Sequence, residues 1–359
     1  MESRPPAAMM EAMGRVTLQT IADEVGVSRM TVSNAFSRPD QLSADLRATI
    51  LAKAAELGYA GPDPTARSLA RGRAGSVGIL FTDTFSYAFE DEVAAGFVGA
   101  IAAELAPTGS AITLLTSDTT ADFVPARDVA LDAAVLYACN DDSGAIDWLV
   151  RRRLPLVFVD HRPRPGYDSV NIDDREGARL AADHVIGLGH EHLAVLTTAH
   201  GAEAGFVSAP FAATHVVSEQ RLLGWFDAIH GAGLDAPVVQ APKHGDPADA
   251  IALLWELDPR PTAIVCFSDV AAAAAIRAAT EYGLVVPDDL SVVGFDGTQL
   301  AAWSQPSITT IRQDVAAKGR AAATLLGERM TGSTKRARRI VLPVELVVGD
   351  STAPPPTQR

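Results

Sequence analysis

The sequence predicts two architectures in one chain: a small all-α headpiece near the N-terminus and a larger α/β body made of two lobes. In residues 16–61, apolar side chains recur at helical spacing in three short segments. From Ser76 onward, short apolar segments alternate with amphipathic ones, the pattern of parallel strands whose connecting helices cover both faces of a sheet. The body contains too many such units for one modest sheet, so we expect two lobes of similar construction.

Three helices are expected in the headpiece because each apolar segment follows a residue suited to cap a helix. Thr17 precedes "LQTIADEVG", Ser28 precedes "RMTVSNAFS", and Ser43 precedes "ADLRATILAKAAELG". Gly58 ends the third pattern, as glycine commonly does at a helix C-terminus. Gly26 separates the first two segments, which indicates two short helices joined by a tight turn.

Residues 62–75 are predicted to form a hinge and linker. Asp63 is a candidate N-cap, Pro64 suits the first helical position, and Gly72 ends the pattern. This leaves about two turns of helix, fewer than the roughly 12–15 residues that an isolated helix needs in water. The hinge helix is therefore expected to form only when something holds it.

The body is expected to span residues 76–349, between an N-terminal extension at 1–15 and a Pro-rich tail at 350–359 that are both expected to be disordered. Its strand candidates are "SVGILF", "AITLLT", "AAVLY", "PLVFVD", "HLAVLT", "TAIVCF" and "LSVVGF". Its helix candidates are residues 91–105, 174–188, 218–230, 246–257, 269–282 and 314–330. We expect lobe 1 to comprise residues 76–172 plus 313–335, and lobe 2 to comprise residues 173–312 plus 336–349.

Composition excludes several classes of protein. No apolar run approaches the roughly 18 residues that span a membrane, and the N-terminus lacks the apolar core of a secretory signal, so a cytoplasmic protein is expected. Cys139 and Cys266 lie in separate apolar runs and are expected to be buried free thiols. The four histidines between residues 184 and 200 share no single face, and no G-x-G-x-x-G follows the first strand. Neither a metal nor a cofactor is therefore expected.

The formal net charge of -14 is unevenly distributed. Residues 1–75 contain nine Lys or Arg and eight Asp or Glu, a balance of +1, whereas the remainder carries -15. An acidic body weakens nonspecific attraction to nucleic acid but does not exclude binding at a focused surface of the headpiece.

The two short helices match a helix-turn-helix, in which the second helix enters the DNA major groove with its N-terminal side chains against base edges. Arg29, Met30 and Asn34 would project from one end and face of this helix, and suit guanine, a thymine methyl group and adenine. The hydroxyl groups suited to phosphate oxygens belong to Thr31, Ser33 and Ser37. The alternative is a helical hairpin that only packs.

The segment "VTLQTIADEVGVSRMTVSNAFSRPDQLSADLRATILAKAAELGY" resembles the headpiece of LacI/GalR-type transcription regulators, and "DPTARSLARG" resembles their hinge helix. Further matches follow in order: "PLVFVDHRP", "VNIDDREGARLAADHVIGLGHEHLAVL", "SEQRLLGWFDAI", "PTAIVCFSDVAAAAAIRAATEYGLVVPDDLSVVGFDG" and "SITTIRQD". The resemblance spans Val16 to Val348. It implies a periplasmic-binding-protein-like body that holds a small ligand between its lobes.

The resemblance also implies a role for Leu69, which matches the family's hinge leucine. In that family the hinge helices of a dimer pair in the minor groove and the leucines wedge open a central base step, as apolar wedges do. The alternative is a leucine that packs on its own body. The complete set of residues expected at DNA is Thr17, Ser28, Arg29, Met30, Thr31, Ser33, Asn34, Ser37, Tyr59, Arg67 and Leu69.

Ligand-facing positions of the family match residues at the ends of predicted strands and on lobe-crossing segments. Arg221 suits a carboxylate, phosphate or sugar hydroxyl, and Asp296 suits vicinal hydroxyls, although both could instead form a structural ion pair. Asp269 could equally cap the next helix. The loop "FSYAFEDE" departs from the family's usual Asn-Pro run, so a sugar is only the family-average expectation. The complete expected set is Tyr87, Phe89, Glu90, Asp160, Arg221, Ser268, Asp269, Asp296 and Gln313.

We therefore expect a regulator, by default a repressor, whose partners are pseudo-palindromic double-stranded DNA, a small effector and a second copy of the chain. A solute-binding protein for transport would need an export signal and would lack the headpiece. The third alternative is an α/β enzyme using Asp160 and Asp296 as acid and base, and nothing resembling a nucleophile elbow, a P-loop or a metal motif supports it. No catalytic residue is expected.

Overall fold

The computed structural model describes residues 16–63, 68–69, 72–81, 85–117, 122–140, 143–199, 204–208, 215–242 and 248–356. The chain divides into two compact units, one ending at Ala74 and the other beginning at Gly75. The all-α headpiece and the α/β body with parallel sheets are both confirmed.

The headpiece contains the three predicted helices. Thr17, Ser28 and Ser43 each cap one of them by accepting a hydrogen bond from a backbone N–H in the first turn. Gly26 adopts φ 72°, a left-handed conformation that suits glycine and turns the chain between the first two helices. The helices are α1 Leu18–Val25, α2 Arg29–Ser37 and α3 Ala44–Glu56. Their core consists of Ile21, Ala22, Val32, Ala35, Ile50 and Ala54.

Only part of the predicted hinge falls within the described residues. Ser68 and Leu69 are helical, and the Leu69 side chain is 85% exposed. Pro64 and Arg67 lie outside the described residues, so their predicted roles stay predictions.

The first sheet of the body has the order β12-β5-β4-β3-β1-β2 and is parallel at every pairing. Its central strands are buried on both faces, which explains why they read as continuous apolar runs in the sequence. The strands are β1 Ser76–Phe81, β2 Ala111–Thr116, β3 Ala133–Tyr137, β4 Leu156–Val159, β5 Asp168–Ile172 and β12 Arg339–Leu342.

The second sheet has the order β10-β9-β6-β8-β7, parallel except for the β7–β8 pair. A separate antiparallel pair, β11 with β13, lies on the segments that connect the two lobes. The strands are β6 Leu193–Ala199, β7 Gly205–Val207, β8 Val238–Pro242, β9 Ala263–Cys266, β10 Ser291–Val293, β11 Thr310–Gln313 and β13 Val344–Val347.

Helices of the body cover both sheets, with apolar clusters on either side of each sheet. They are α4 Phe85–Glu90, α5 Glu92–Leu105, α6 Pro125–Asp128, α7 Gly144–Arg151, α8 Asp174–Gly187, α9 Val216–Gly231, α10 Ala248–Trp255, α11 Asp269–Glu281, α12 Gln299–Trp303 and α13 Val315–Met330. The predicted loop "FSYAFEDE" is wrong in its first part, because residues 85–90 form the short helix α4.

The predicted assignment of residues 336–349 to lobe 2 is wrong for residues 339–342. Strand β12 pairs in parallel with β5 and therefore extends the sheet of lobe 1. Asp168 explains this placement, because its carboxylate accepts hydrogen bonds from the Arg329 side chain and from the backbone N–H of Arg338. These contacts direct the chain back onto lobe 1 before it crosses at Pro343.

The prediction of a disordered tail at 350–359 is also wrong for its described part, residues 350–356. Ser351 is fully buried, and its hydroxyl donates to the carbonyl of Val292 at 2.5 Å, while the Val292 N–H donates to the Ser351 carbonyl at 2.8 Å. The tail thus supplies partners for β10, the strand at one edge of the second sheet, so its backbone is paired despite its proline content.

Candidate DNA-binding and effector-binding sites

The N-terminal end of helix α2 carries the side chains that are predicted to contact DNA bases. The Ser28 hydroxyl accepts from the Thr31 N–H at 3.0 Å and lies 2.8 Å from the Thr31 hydroxyl, which fixes the start of the helix. Arg29 and Met30 follow this cap and are exposed, Met30 to 69%. A thioether and a guanidinium at an exposed helix start can reach base edges in a major groove.

The remaining polar residues of α2 are partly buried and make local hydrogen bonds. The Asn34 amide donates to the Gln41 side-chain oxygen at 3.1 Å, and the Ser37 hydroxyl donates to the Ser33 carbonyl at 2.8 Å. Asn34 would therefore exchange a partner to bind a base. Gln41 was not predicted from the sequence, because it lies outside the helical pattern that located the other residues.

Two predicted DNA-contacting residues also have structural roles in the headpiece. Thr17 forms a reciprocal cap with Thr20 at the start of α1. The Tyr59 ring packs edge-on against Phe36, with ring centroids 5.7 Å apart. Their DNA contacts stay predictions.

The carboxyl ends of the body's strands carry unusual backbone. Ala138, Asp160 and Asp296 have φ values of 48°, 51° and 111°, although none is glycine. They follow β3, β4 and β10, at the edge where α/β proteins commonly bind ligands. Such conformations cost about 1–3 kcal/mol each and persist where the surrounding structure holds them, which is common at functional sites.

Arg221 on α9 is the centre of the lobe 2 side of this region. Its Nε donates to Asp174 at 2.9 Å and one Nη donates to Asp296 at 3.2 Å, while the other Nη donates to the carbonyl of Phe267. Its guanidinium lies 3.6 Å from the centroid of the Phe295 ring. The side chain is thereby held by hydrogen bonds in its plane and by an aromatic ring on its face.

Lys318 on α13 is the corresponding cation of lobe 1. Its ammonium donates to Asp160 and to the Gln313 side-chain oxygen, each at 2.7 Å. The Gln313 amide donates to Asp296 at 2.8 Å and so joins the two halves. We call the six residues together the interlobe network: Asp160, Asp174, Arg221, Asp296, Gln313 and Lys318.

Asp174 and Lys318 were missed from the sequence. Asp174 follows Asp173, and either could have capped α8; the structure uses Asp173 as the cap and buries Asp174. Lys318 is 1% exposed on a helix face otherwise made of small and apolar residues. A lysine on such a face was the signal in the sequence that could have identified a buried, paired cation.

The pKa values of three groups of the network, Asp174, Arg221 and Asp296, are shifted. Burial raises the pKa of Asp174 to about 6 and that of Asp296 to about 7, although the nearby Arg221 opposes both shifts. Burial alone would lower the pKa of Arg221, but the Asp296 and Asp174 carboxylates outweigh it and hold that pKa above its ordinary value. The guanidinium therefore stays charged, and its attraction opposes, without cancelling, the rise in the pKa of both carboxyls.

Ser268 and Asp269 lie beside the network and have structural partners. Ser268 caps α11 by accepting from the Ala271 N–H, so the alternative that Asp269 is this cap is wrong. Asp269 is fully buried and accepts hydrogen bonds from Thr310 and from the N–H and hydroxyl of Thr298. It holds the segments that follow β10 and precede α13.

The residues predicted on the first-lobe loop are not joined to the network. Phe89 on α4 is 61% exposed and Glu90 is exposed, and no hydrogen bond between described residues joins Glu90 to the network. The side chain of Tyr87 lies outside the described residues. Their effector contacts stay predictions.

Polar contacts join the lobes around the network. His215 Nε2 lies 2.8 Å from the carbonyl of Ala138, and the N–H of Gln299 donates to Glu92 at 2.8 Å. Arg162 forms an ion pair with Glu219. Each pair joins a residue of lobe 1 to one of lobe 2, so the lobes are in contact in this structure.

Comparison with known proteins places both units in one family. The family described as "Bacterial regulatory proteins, lacI family" matches residues 17–61, and a periplasmic binding protein-like domain matches residues 182–352. An HTH-type transcriptional regulator of Mycobacterium tuberculosis is 38% identical over 95% of this chain and 98% of its own length. The chain belongs to the LacI family of bacterial regulatory proteins.

Other regulators and solved structures are also similar to this LacI-family regulator over most of its length. The HTH-type transcriptional regulator IpsA of Corynebacterium glutamicum is 33% identical over 86% of this chain and 90% of its own length. A solved complex of the transcriptional regulator CelR with cellobiose is 25% identical over 94% of this chain and all of that chain, with a TM-score of 0.67. A Lac repressor dimer bound to operator and an anti-inducer is 23% identical with a TM-score of 0.76, covers 95% of this chain and all of its own, and shares the fold.

Family membership decides among the functional classes. The LacI-family regulator is a DNA-binding transcriptional regulator, and its relatives are regulators rather than enzymes. Among the described residues, no group of three or more His, Cys, Asp and Glu side chains could hold a metal ion. No helix within the described ranges is long and apolar enough to cross a bilayer.

Proposed function

We propose that this LacI-family regulator is a homodimeric repressor whose affinity for a pseudo-palindromic operator is set by a polyhydroxyl effector bound between the lobes. The interlobe network is the observation that supports it. A ligand that contacts Asp160, Arg221 and Asp296 contacts both lobes at once, and so favours one arrangement of the lobes over another.

On the DNA side, Arg29 and Met30 would read bases from the exposed start of α2, with Asn34 nearby. Two headpieces of a dimer would occupy two half-sites related by the dimer axis. The exposed Leu69 side chains would enter the minor groove between them, where an apolar wedge kinks a flexible base step. The regulator would act in the cytoplasm, where a bacterial operator is reached.

On the effector side, a sugar or related metabolite is supported by relatives. CelR has been solved with cellobiose, and more distant structures of the same fold carry ribose. Repression is supported by relatives named as transcriptional repressors, such as the 29% identical PurR of Photobacterium profundum. Effector binding would change operator affinity through a coupling free energy of about 1–3 kcal/mol.

The test is selection of bound DNA from a random pool with the full-length protein, repeated in the presence of sugars and polyols. We expect a pseudo-palindromic site with a flexible pyrimidine–purine step at its centre. At least one compound should weaken operator binding about 5- to 150-fold, as the coupling range predicts. Failure to select any two-fold symmetric site would reject the proposal.

A further inference from the structure

We infer that the body of this regulator carries a second DNA-binding surface, which contacts the phosphate backbone beside the sequence that the headpiece reads. Five exposed cations at one edge of the lobe 1 sheet form this surface, which we call the basic edge: Arg151, Arg153, Lys335, Arg336 and Arg339. The inference goes beyond the proposed function, because it requires neither an operator sequence nor an effector.

Two segments that lie far apart in the sequence supply the charge of the basic edge. Residues 151–153 are three consecutive arginines, and residues 333–339, "STKRARR", contain four cations and no carboxylate. Residues 76–359 as a whole carry a formal charge of -15. Most of such a body repels a polyanion, so a local concentration of cations decides where a polyanion approaches it.

The parallel sheet places both segments at the same edge. Residues 151–153 precede β4, residues 333–338 precede β12, and both strands pair in parallel with β5. Because neighbouring strands lie about 4.8 Å apart, β4 and β12 run about 10 Å from one another. The starts of parallel strands share one edge of a sheet, so the fold joins two basic segments into one surface.

The fold also holds these cations in place. The Arg329 guanidinium donates to the carbonyl of Lys335 at 2.7 Å, which fixes the loop before β12. The Arg151 guanidinium lies 5.2 Å from the centroid of the Trp148 ring, a cation–π contact. Arg153 adopts φ 55°, a left-handed conformation that costs a non-glycine residue free energy, shortly before β4 begins. Groups that are already ordered lose less conformational entropy on binding.

The cations of the basic edge differ from the neighbouring arginines that serve the fold. Arg329 forms an ion pair with Asp168 at 2.6 Å. Arg338 forms an ion pair with Glu328 at 2.7 Å. Within the described part of the chain, no carboxylate forms an ion pair with the five cations of the basic edge. Their charge therefore faces the solvent, where phosphate groups can reach it.

Double-stranded DNA is the partner that this position favours, because the headpiece is attached to the same edge. The body begins at Gly75, whose N–H donates at 2.8 Å to Asp132, the residue before β3. The linker, residues 62–75, spans at most about 50 Å when fully extended, about the length of 15 base pairs. DNA that continues beyond the site of the headpiece can therefore reach the basic edge.

Phosphate contacts have a signature that distinguishes them from base contacts. Lys and Arg side chains that neutralise phosphates release condensed counterions, so the logarithm of affinity falls with the logarithm of salt concentration by about 0.9 per contact. Such contacts carry no direct sequence information. The basic edge should therefore add affinity and salt dependence on any DNA sequence and leave the sequence preference of the headpiece unchanged.

The test compares the full-length protein with two variants on a random-sequence duplex of about 60 base pairs, which exceeds the reach of the linker on both sides. The first variant carries Lys335→Gln, Arg336→Gln and Arg339→Gln, and the second adds Arg151→Gln and Arg153→Gln. Fluorescence anisotropy gives the affinity between about 50 and 200 mM salt. We expect the slope of log affinity against log salt to be less steep by at least about 1 in the first variant and about 2 in the second. The second variant should also bind at least about tenfold more weakly at the lowest salt concentration.

The control removes the same charge from lobe 2, with Arg175→Gln, Arg179→Gln and Arg260→Gln. All three side chains lie at the surface, those of Arg175 and Arg179 with 49% and 40% exposure. The control should keep the slope of the unchanged protein, and equal thermal midpoints verify that all the variants fold. Unchanged slopes in both basic-edge variants would overturn the inference. A control that alters the slope as much as the first variant would also overturn it, because total charge would then explain the effect.

An anionic membrane is the other surface that such a cluster of cations could bind. Sedimentation with phosphatidylglycerol vesicles measures this alternative on the same proteins. If the unchanged protein binds the vesicles, the second variant does not, and the slope on DNA is the same for both, the basic edge serves a membrane and the inference is wrong.

Selection of bound DNA from a random pool separates this inference from the proposed function. If no two-fold symmetric site is selected but the basic-edge variants have less steep slopes, the proposed function fails and this inference stands. If an effector releases a selected operator while the basic-edge variants keep the slope of the unchanged protein, the proposed function stands and this inference fails.

Discussion

Replacing Arg221 with methionine removes the cation between two buried carboxylates while keeping an unbranched stem against Phe295. The variant leaves Asp174 and Asp296 without the guanidinium that lies 2.9 and 3.2 Å from them. Breaking a buried ion pair by removing one partner commonly costs about 3–5 kcal/mol. We therefore expect Arg221→Met to lower the free energy of unfolding of the body by about that amount at pH 8.

The loss should depend on pH in a defined direction. The pKa of Asp174 is raised by burial to about 6 and that of Asp296 to about 7. Carboxyls with raised pKa values bind more protons in the folded state, so their stabilising contribution is present in acid and is lost as pH rises from about 4 to 7. Without Arg221 both pKa values rise further. The destabilisation should therefore be at least about 1.4 kcal/mol smaller at pH 5.5 than at pH 8, the equivalent of one pKa unit.

The assay is urea denaturation followed by tryptophan fluorescence at both pH values. All four tryptophans, Trp148, Trp225, Trp255 and Trp303, belong to the body, so the signal reports that unit and not the headpiece. Trp225 is fully buried on α9, the helix that carries Arg221. The slope of unfolding free energy against urea should not change, because the same surface is exposed on unfolding.

The matched control is Arg175→Met. Arg175 also pairs with a carboxylate, Asp227, but the two side chains are 49% and 39% exposed. An exposed pair contributes at most about 1 kcal/mol, so the control should be nearly neutral. A loss below about 1 kcal/mol in Arg221→Met at pH 8, or equal losses at the two pH values, would refute the reasoning.

Three further predictions concern the hinge, the helix pair and the tail. Leu69→Ala should weaken specific operator binding at least tenfold while leaving effector affinity unchanged. If fluorescence anisotropy gives the variant the same operator affinity as the unchanged protein, the wedge role of Leu69 is rejected. Gly224→Ala should lower the thermal midpoint of the body markedly, because a Cβ there would lie 2.0 Å from the carbonyl oxygen of Arg175. Gly231→Ala, with nothing within 4 Å, is its control, and equal midpoints would contradict the close packing. Ending the chain at Gly349 should destabilise lobe 2, and the expected result is faster amide hydrogen exchange in β10. Unchanged exchange would show that the tail does not stabilise this strand.

Much of the fold was predictable because local signals and tertiary structure agree. The helix predicted at 174–188 is observed as Asp174–Gly187, and that at 314–330 as Val315–Met330. Both begin next to a capping aspartate and carry a clear apolar face. The buried parallel strands were equally visible, because a strand covered on both faces must be apolar throughout.

Three of the strands that were missed lack such a signal. Strand β5, "DSVNI", begins with an aspartate whose burial depends on Arg329 and Arg338, far away in the chain. Strand β12 lies at a sheet edge and alternates in exposure, and β7 is only three residues long. Their pairing is long-range, so nothing local to these segments identifies them.

The sequence alone was sufficient to determine a helix-turn-helix headpiece, a two-lobed α/β body and the family of regulators. The signals were capping residues, apolar periodicity and a run of matching motifs. Those features are local or follow one another along the chain. Only the tertiary structure decided that Asp174 and Lys318 belong to the interlobe network, that the tail covers β10, and that residues 339–342 belong to lobe 1. Each of these three features depends on groups more than 40 residues apart in the chain. Their buried charges and hydrogen-bonding groups find partners only once the chain has folded.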